Sequence, residues 1–314
     1  MKLSIVTTMY RSAAFLDTFH ERIGAAAQHT VGDDYEIVLV NDGSPDNSGE
    51  IARAMAARDR HVCVVDLSRN FGHHAAIVAG LAHTRGELVF LLDCDLEEQP
   101  EWLSTFVAER ERADADVVFG VQRQRVGSPL ANAAGRIFWS ALSAMSLVRI
   151  PHNPMTCRLM TRQYVDSLLE VGDRVLYLAG VFAWAGFRQT SLPLVKTPRA
   201  AQSRSTYSLS RKLVQAADSF ASFSVAPLSA IFLTGLSIWS GSLAYGAWLL
   251  VRKLMNPEMI LSGFTSIMLS LWFLGGTIIL FLGVLGLYLA KVFQEVKRRP
   301  LYIVRSVHRG GDRA

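Results

Sequence analysis

The sequence predicts an α/β protein: a doubly wound, mostly parallel sheet, followed by amphipathic interface helices and two apolar C-terminal transmembrane helices. Three observations carry that expectation. Short apolar runs alternate with helix-length segments through the first 120 residues, the pattern of a sheet built from strand–helix–strand units. The run Val89-Phe90-Leu91-Leu92 is apolar throughout and stops at Asp93, as a strand covered by helices on both faces does. Residues 225–251 and 259–290 contain no charged side chain, and each exceeds the roughly 20 apolar residues a membrane-crossing helix needs.

The elements follow in order. Residues 3–7 read as a first strand and lead into an amphipathic helix ending near Gln28. Residues 35–40 form a second strand that ends in Asn41-Asp42-Gly43-Ser44-Pro45-Asp46. This is a tight turn followed by a helix start, because Pro suits a first helical position and an acidic residue suits the first turn. The next helix reaches about Arg58, and residues 62–67 form a third strand, followed by Ser68-Arg69-Asn70-Phe71-Gly72-His73-His74. A helix over 75–83, a strand over 88–92, a helix over 101–112 and a strand over 117–121 continue the alternation.

Beyond Gly120 the pattern changes. Gln122-Arg123-Gln124-Arg125 is polar and basic, and residues 130–148 carry an apolar stripe at Leu130, Ala134, Ile137, Phe138, Ala141 and Met145. Residues 207–223 repeat the theme and run directly into the first charge-free stretch. Helices of this kind lie in a membrane interface or pack on a core. Arg199, Arg204, Arg211 and Lys212 precede the first apolar stretch, and Lys291, Lys297, Arg298, Arg299, Arg305 and Arg309 follow the second. Basic residues favour the cytoplasmic side, so both flanks are expected there and the short loop outside. The net charge of +5 gathers beside these stretches, which argues for anionic lipid headgroups rather than nucleic acid. Cys63, Cys94 and Cys157 show no disulfide or zinc spacing and fit a reducing compartment. No signal-peptide pattern opens the chain. The expected organisation is a cytoplasmic α/β domain over 1–203, an interfacial helix over 204–224, a two-helix membrane region over 225–292 and a basic tail over 293–314.

Chemistry is expected where Val89-Phe90-Leu91-Leu92 ends. Ligands of open α/β sheets bind beyond the carboxyl ends of the strands. Asp93 and Asp95 stand there one residue apart, and paired carboxylates suit a hard divalent cation that bridges to phosphates.

Four ordered motifs at strand ends then make a recognisable set. Val6-Thr7-Thr8-Met9-Tyr10-Arg11, Val40-Asn41-Asp42-Gly43-Ser44, Arg69-Asn70-Phe71-Gly72 with Ala76 and Gly80, and Asp93-Cys94-Asp95-Leu96 together resemble the nucleotide-sugar domain of family 2 glycosyltransferases, which has the GT-A fold. Ser205-Thr206-Tyr207 and Phe223-Ser224-Val225-Ala226-Pro227-Leu228 narrow the resemblance to the polyprenyl-phosphate glycosyltransferases, a group that includes dolichyl-phosphate mannose synthase. The chain departs from the group's pattern at Thr8, Arg11 and Glu97-Glu98-Gln99-Pro100-Glu101, and a glycine usual before Ser-x-Tyr is missing.

The resemblance implies a nucleotide-diphosphate sugar donor, a polyprenyl phosphate acceptor and transfer with inversion. It places Mg²⁺ or Mn²⁺ on Asp93 and Asp95, and donor contacts on Thr8, Tyr10, Asp42, Asn70, Gly72 and Asp93. A phosphate acceptor is already an anion at neutral pH and needs cations more than a base. Arg123, Arg125 and Arg136 are the candidates, since arginine grips phosphate in a fork, and Arg125 and Arg136 are expected to serve the catalytic step itself. Arg158, in a segment resembling the family's Phe-Arg-Leu, is a further acceptor candidate. A homo-oligomer is left open. A processive polysaccharide synthase would carry a Gln-x-x-Arg-Trp segment, and none occurs. A non-catalytic, membrane-anchored binding protein would have no use for the two aspartates.

Overall fold

A computed structural model of the protein describes residues 1–122, 154–172, 178–196, 226–255 and 263–311. The described residues fall into two compact units, one comprising those up to 196 together with 298–311, the other 226–255 and 263–297. Arg123, Arg125 and Arg136, the amphipathic segments 130–148 and 207–223, and Ser205-Thr206-Tyr207 lie outside the described residues.

The first unit is a mixed eight-stranded sheet with helices against it. Its chain order is β1 (Leu3–Met9), α1 (Leu16–Val31), β2 (Tyr35–Asn41), α2 (Ser48–Arg58), β3 (Val62–Leu67), α3 (His73–Ala82), β4 (Leu88–Leu91), α4 (Trp102–Ala113), β5 (Val117–Gln122), β6 (Pro154–Thr161), α5 (Arg162–Glu170), α6 (Leu178–Trp184) and β7 (Gln189–Leu194), with β8 (Val304–Arg309) from the far end of the chain. The strand order is β7-β5-β6-β4-β1-β2-β3-β8. The central strands β4, β1, β2 and β3 are parallel. β6 enters antiparallel between β4 and β5, and β8 closes the other edge antiparallel to β3.

The four parallel strands are apolar because they are covered twice. Ile5, Val6, Ile37, Val38, Val64 and Phe90 are wholly buried. On α1, Leu16, Phe19, Ile23 and Ala27 recur every three or four residues and form its buried stripe, the spacing that turns one helical face to a core. Phe90 and Phe106 meet edge to face with centroids 5.3 Å apart, and burying such side chains stabilises the fold by roughly 1.5–3 kcal/mol each. α3 presses closely on the sheet at Gly80. A Cβ there would lie 2.5 Å from Val6 Cγ1 and 2.9 Å from Val40 Cγ2, so any larger residue would push the helix away from the strand ends it serves. Arg22 grips Glu101 with two bonds of 2.7 and 2.6 Å, tying α1 to the start of α4. β6, unforeseen in the sequence reading, brings Pro154 and Arg158 into the sheet.

The expected basic tail therefore carries a strand of this sheet. Gly310 N–H donates to Val62 O at 2.8 Å, and Arg309 reaches the buried Glu36 carboxylate at 3.5 Å. Charged side chains on an edge strand also discourage further strand addition.

The second unit holds two long helices, α7 (Ala226–Met255) and α8 (Phe264–Val296). Among the described residues one segment is long and apolar enough to cross a membrane, Phe273–Val296, with 24 residues and mean hydropathy 2.2. At 1.5 Å per residue it would span about 36 Å. Ile278, Ile279, Leu282 and Leu289 on it are exposed. The sequence reading expects two such spans, and the described residues contain one.

Candidate active site

The carboxyl ends of β1, β2, β3 and β4 bring three donor candidates into one cradle. Asp42 follows β2 and is 3% exposed. Its carboxylate accepts the N–H of Phe71 at 2.7 Å and of Gly72 at 3.0 Å, while Asn70 Nδ2 donates to Asp42 O at 3.1 Å. Burial pushes the Asp42 carboxyl above its usual range, and the two backbone bonds pull against that shift. The cradle needs two glycines. Gly43 has φ 60°, and its Cβ would fall 2.5 Å from Arg69 C and Asn70 N; Gly72 has φ 95°. Both conformations are costly for residues with a Cβ. Asp42, expected to contact the donor, thus already serves two backbone donors and shapes the loop.

Thr8 and Tyr10 stand at the end of β1. Tyr10 is exposed, and Thr8 Oγ1 lies 3.1 Å from His73 Nδ1. The other face of His73, Nε2, is 3.7 Å from Asp93 Oδ1. His73 opens α3 and so stands between the β1 end and the acidic loop. Burial lowers its pKa against the pull of Glu98, Asp42 and Asp95.

The acidic loop follows β4. Burial, then the charge of Asp95, hold Asp93 well above the ordinary carboxyl range. Glu98 beneath it is wholly buried and accepts from Asp93 N–H at 3.2 Å and Thr156 N–H at 3.1 Å. One carboxylate thus joins the ends of β4 and β6. Lys196, just past β7, lies 3.4 Å from Glu98 Oε1 and 3.7 Å from Glu97 Oε2. Burial acts to lower its pKa, but Glu98, Asp93, Glu97 and Asp95 outweigh it and raise it. Cys94 Sγ donates to Thr8 O at 3.2 Å, fastening the loop to β1.

These residues fit a hard divalent cation. The donors are carboxylate oxygens, and the repulsion between Asp93 and Asp95 that raises the former is what a cation would relieve. Among the described residues no group of three or more His, Cys, Asp or Glu side chains is arranged to hold a metal by itself.

Arg158 requires a correction. It is 5% exposed, lies over the Phe182 ring at 3.4 Å, and donates to the carbonyls of Met155 and Thr156. Burial lowers its pKa to about 10. Its guanidinium is enclosed by its own strand and α6, so it is not poised to grip an incoming phosphate. His73, Glu98 and Lys196 are the site residues that the sequence reading passed over. Glu98 is separated from Asp93 by five positions and could have been suspected; Lys196 lies about a hundred residues away and carries no local signal.

Residues 4–169 match glycosyl transferase family 2. A glycosyltransferase of Mycobacterium tuberculosis (strain CDC 1551 / Oshkosh) is 39% identical over 312 residues, covering 99% of this chain and 90% of its own. The SfII prophage-derived bactoprenol glucosyl transferase of Shigella flexneri is 31% identical over 313 residues, covering 99% of each chain. Among solved structures, the glucosyl-3-phosphoglycerate synthase of Mycobacterium tuberculosis is similar over 70% of this chain and 77% of its own, with 19% identity and a TM-score of 0.46.

Proposed function

This chain belongs to glycosyl transferase family 2, and from that membership we propose that it transfers a sugar from a nucleotide-diphosphate sugar to a polyprenyl phosphate, undecaprenyl phosphate in a bacterium, at the cytoplasmic face of the membrane. The observation that carries the acceptor class is the end-to-end match to a bactoprenol glucosyl transferase, 99% of each chain, which takes in the apolar helices as well as the sheet. The charge-free run through residue 251 in α7 supports a second span beside Phe273–Val296, with the catalytic unit in the cytosol.

In this reading the Asp42–Gly72 cradle, Thr8 and Tyr10 receive the nucleotide, and Asp93 and Asp95 would hold Mg²⁺ or Mn²⁺. Such an ion, when bound, supplies positive charge to the leaving nucleotide diphosphate. Glu98 and Lys196 keep the acidic loop in one geometry, and His73 bridges it to Thr8. An acceptor phosphate oxygen attacks the anomeric carbon, the bond from that carbon to the diphosphate oxygen breaks, and its electron pair leaves with the nucleotide diphosphate. The attack comes from the opposite face, so an α-linked donor yields a β-linked lipid product. Arg123, Arg125 and Arg136 would position the acceptor phosphate, with Arg125 and Arg136 at the reacting oxygen. The test is transfer of labelled glucose from UDP-glucose to undecaprenyl phosphate by purified full-length protein in detergent, with and without EDTA. Absence of lipid-linked product across UDP- and GDP-sugars with either metal would refute the reading.

A further inference from the structure

β8 comes after α8 in the chain, yet it lies beside β3 in the sheet. Only residues 297–303 separate the end of α8 from its start. The register runs from Cys63 opposite Arg309 to Leu67 opposite Val304. Pairing then continues into the loop that leads to Asn70 and Gly72. Ser68 N–H donates to Ile303 O at 2.8 Å, and Arg305 donates to Ser68 O at 2.8 Å. One strand position back, Ser306 Oγ donates to Asp66 Oδ2 at 3.4 Å, and His308 Nε2 lies 3.5 Å from the same oxygen.

Asp66 is 4% exposed at the end of β3, and a buried carboxylate persists only where donors surround it. Its Oδ1 accepts from Asn41 Nδ2 at 2.7 Å, and Asn41 Oδ1 accepts the Ser44 N–H at 3.0 Å. Arg53 of α2 donates to Asp66 Oδ2 at 2.9 Å as well, and a continuous path of contacts between named atoms runs from β8 to the cradle. β8 holds Asp66 and Ser68, Asp66 holds Asn41, Asn41 holds the Asp42-Gly43-Ser44 turn, and Asp42 holds Phe71 and Gly72. A polar cavity of about 590 Å³, lined in part by Ser44, Asp66, Arg69, Arg305 and His308, lies along this path.

We propose that β8 is a positioning element for donor binding: Arg305, Ser306 and His308 hold Asp66 and Ser68, and through Asn41 the Asp42 turn, in the geometry that receives the nucleotide sugar. The proposal rests on the donor role assigned above to that cradle. It makes donor binding depend on the stretch of chain beyond the last apolar helix, so the donor site is complete only when that stretch is docked on β3.

The test uses full-length protein in detergent, comparing wild type with the triple variant Arg305→Ala, Ser306→Ala, His308→Ala, which keeps the backbone pairing of β8. Amide hydrogen exchange at residues 41–46 and 68–72 should quicken by roughly tenfold, equivalent to about 1.4 kcal/mol, while the amides of β4 and α4 keep their wild-type rates. The KM for UDP-glucose should rise by about the same factor, with that for undecaprenyl phosphate unmoved. Ser306→Thr, which keeps the hydroxyl, should behave as wild type where Ser306→Ala does not. Unchanged exchange at the two loops, a rise spread evenly over the sheet, or failure of Ser306→Thr to retain wild-type behaviour overturns the proposal. If the loops respond as expected but wild type turns over no nucleotide sugar, the donor reading falls and the positioning contact stands.

Discussion

Replacing Glu98 by glutamine tests whether the acidic loop is held from beneath. The two oxygens of Glu98 receive Asp93 N–H at 3.2 Å, Thr156 N–H at 3.1 Å and the Lys196 ammonium at 3.4 Å. All three are donors. Glutamine keeps the shape and exchanges one acceptor oxygen for an NH₂ group, which must then face a donor. If the amide oxygen stays with Thr156 and Lys196, Asp93 N–H is left without its acceptor. A buried donor stranded in this way costs about 1–3 kcal/mol, and the lost charge opposite Lys196 brings the total to roughly 2–4 kcal/mol. For a domain of this size each kcal/mol moves Tm by about 2–4 °C, so Glu98→Gln should melt roughly 4–16 °C below wild type. Because Asp93 is the residue released, affinity for Mn²⁺ with UDP-glucose should fall together with Tm, whereas a purely structural change remote from the loop would lower Tm alone. Thermal unfolding of the full-length protein, with calorimetric binding below the transition, measures both. A variant with wild-type Tm and wild-type donor affinity would show that Glu98 does not support the loop.

Three further outcomes follow from the site. Asp95→Asn should abolish metal-dependent transfer while Tm stays near wild type, checked by product formation in Mg²⁺ and Mn²⁺; retained turnover would remove Asp95 from the metal. Arg125→Ala or Arg136→Ala should raise the KM for undecaprenyl phosphate about 10- to 100-fold, since a charge-assisted bond contributes roughly 1.5–3 kcal/mol, with donor affinity unchanged by calorimetry. Asp46 gives the pH dependence: burial opposes its ionisation, yet bonds from Ser44, Ser48 and Ala13 N–H outweigh burial and hold its carboxyl down, from the usual 3.8 to about 2. A depressed carboxyl contributes stability above its unfolded value and loses it as pH falls through the folded one, so wild type should lose stability between those two values by more than Asp46→Asn does, read as Tm against pH.

The parallel centre of the sheet was legible because burial on both faces writes itself as an apolar run. Residues 62–67 were expected as a strand and β3 occupies Val62–Leu67; β1, β2, β4 and β5 differ from expectation by at most two residues at either end. β6 is not legible because Pro154 and Arg158 interrupt any such run. Pro154 is tolerated at the first position of its strand, and Arg158 is satisfied by carbonyls and the Phe182 ring. β8 is hidden for a different reason. Val304-Arg305-Ser306-Val307-His308-Arg309 lies on an edge, partly exposed, and its basic side chains read as a solvated tail until β3 is beside it.

The site divides along the same physical line. Asp93, Asp95, Asn70 and Gly72 can be placed on one edge of the sheet from the sequence because each follows a legible strand, and the ends of parallel strands must converge there. What a motif does not contain is the set of groups that neutralise it. Asp93-Cys94-Asp95 specifies carboxylates at a strand end, and four acids within six residues, Asp93, Asp95, Glu97 and Glu98, would repel one another there. Lys196 meets that charge from beyond β7, and Thr156 N–H meets it from β6; neither partner is near in sequence, and both depend on β6 entering antiparallel between β4 and β5. The same holds for Asp66, whose donors come from β2, α2 and β8. An acid at a strand end therefore announces a site, but whether it faces a ligand or a distant part of its own chain is decided by strand order. Asp66 illustrates the second case, while Asp42, an expected donor contact, meets Phe71 and Gly72 of its own chain and shapes through them the cradle proposed to receive the nucleotide.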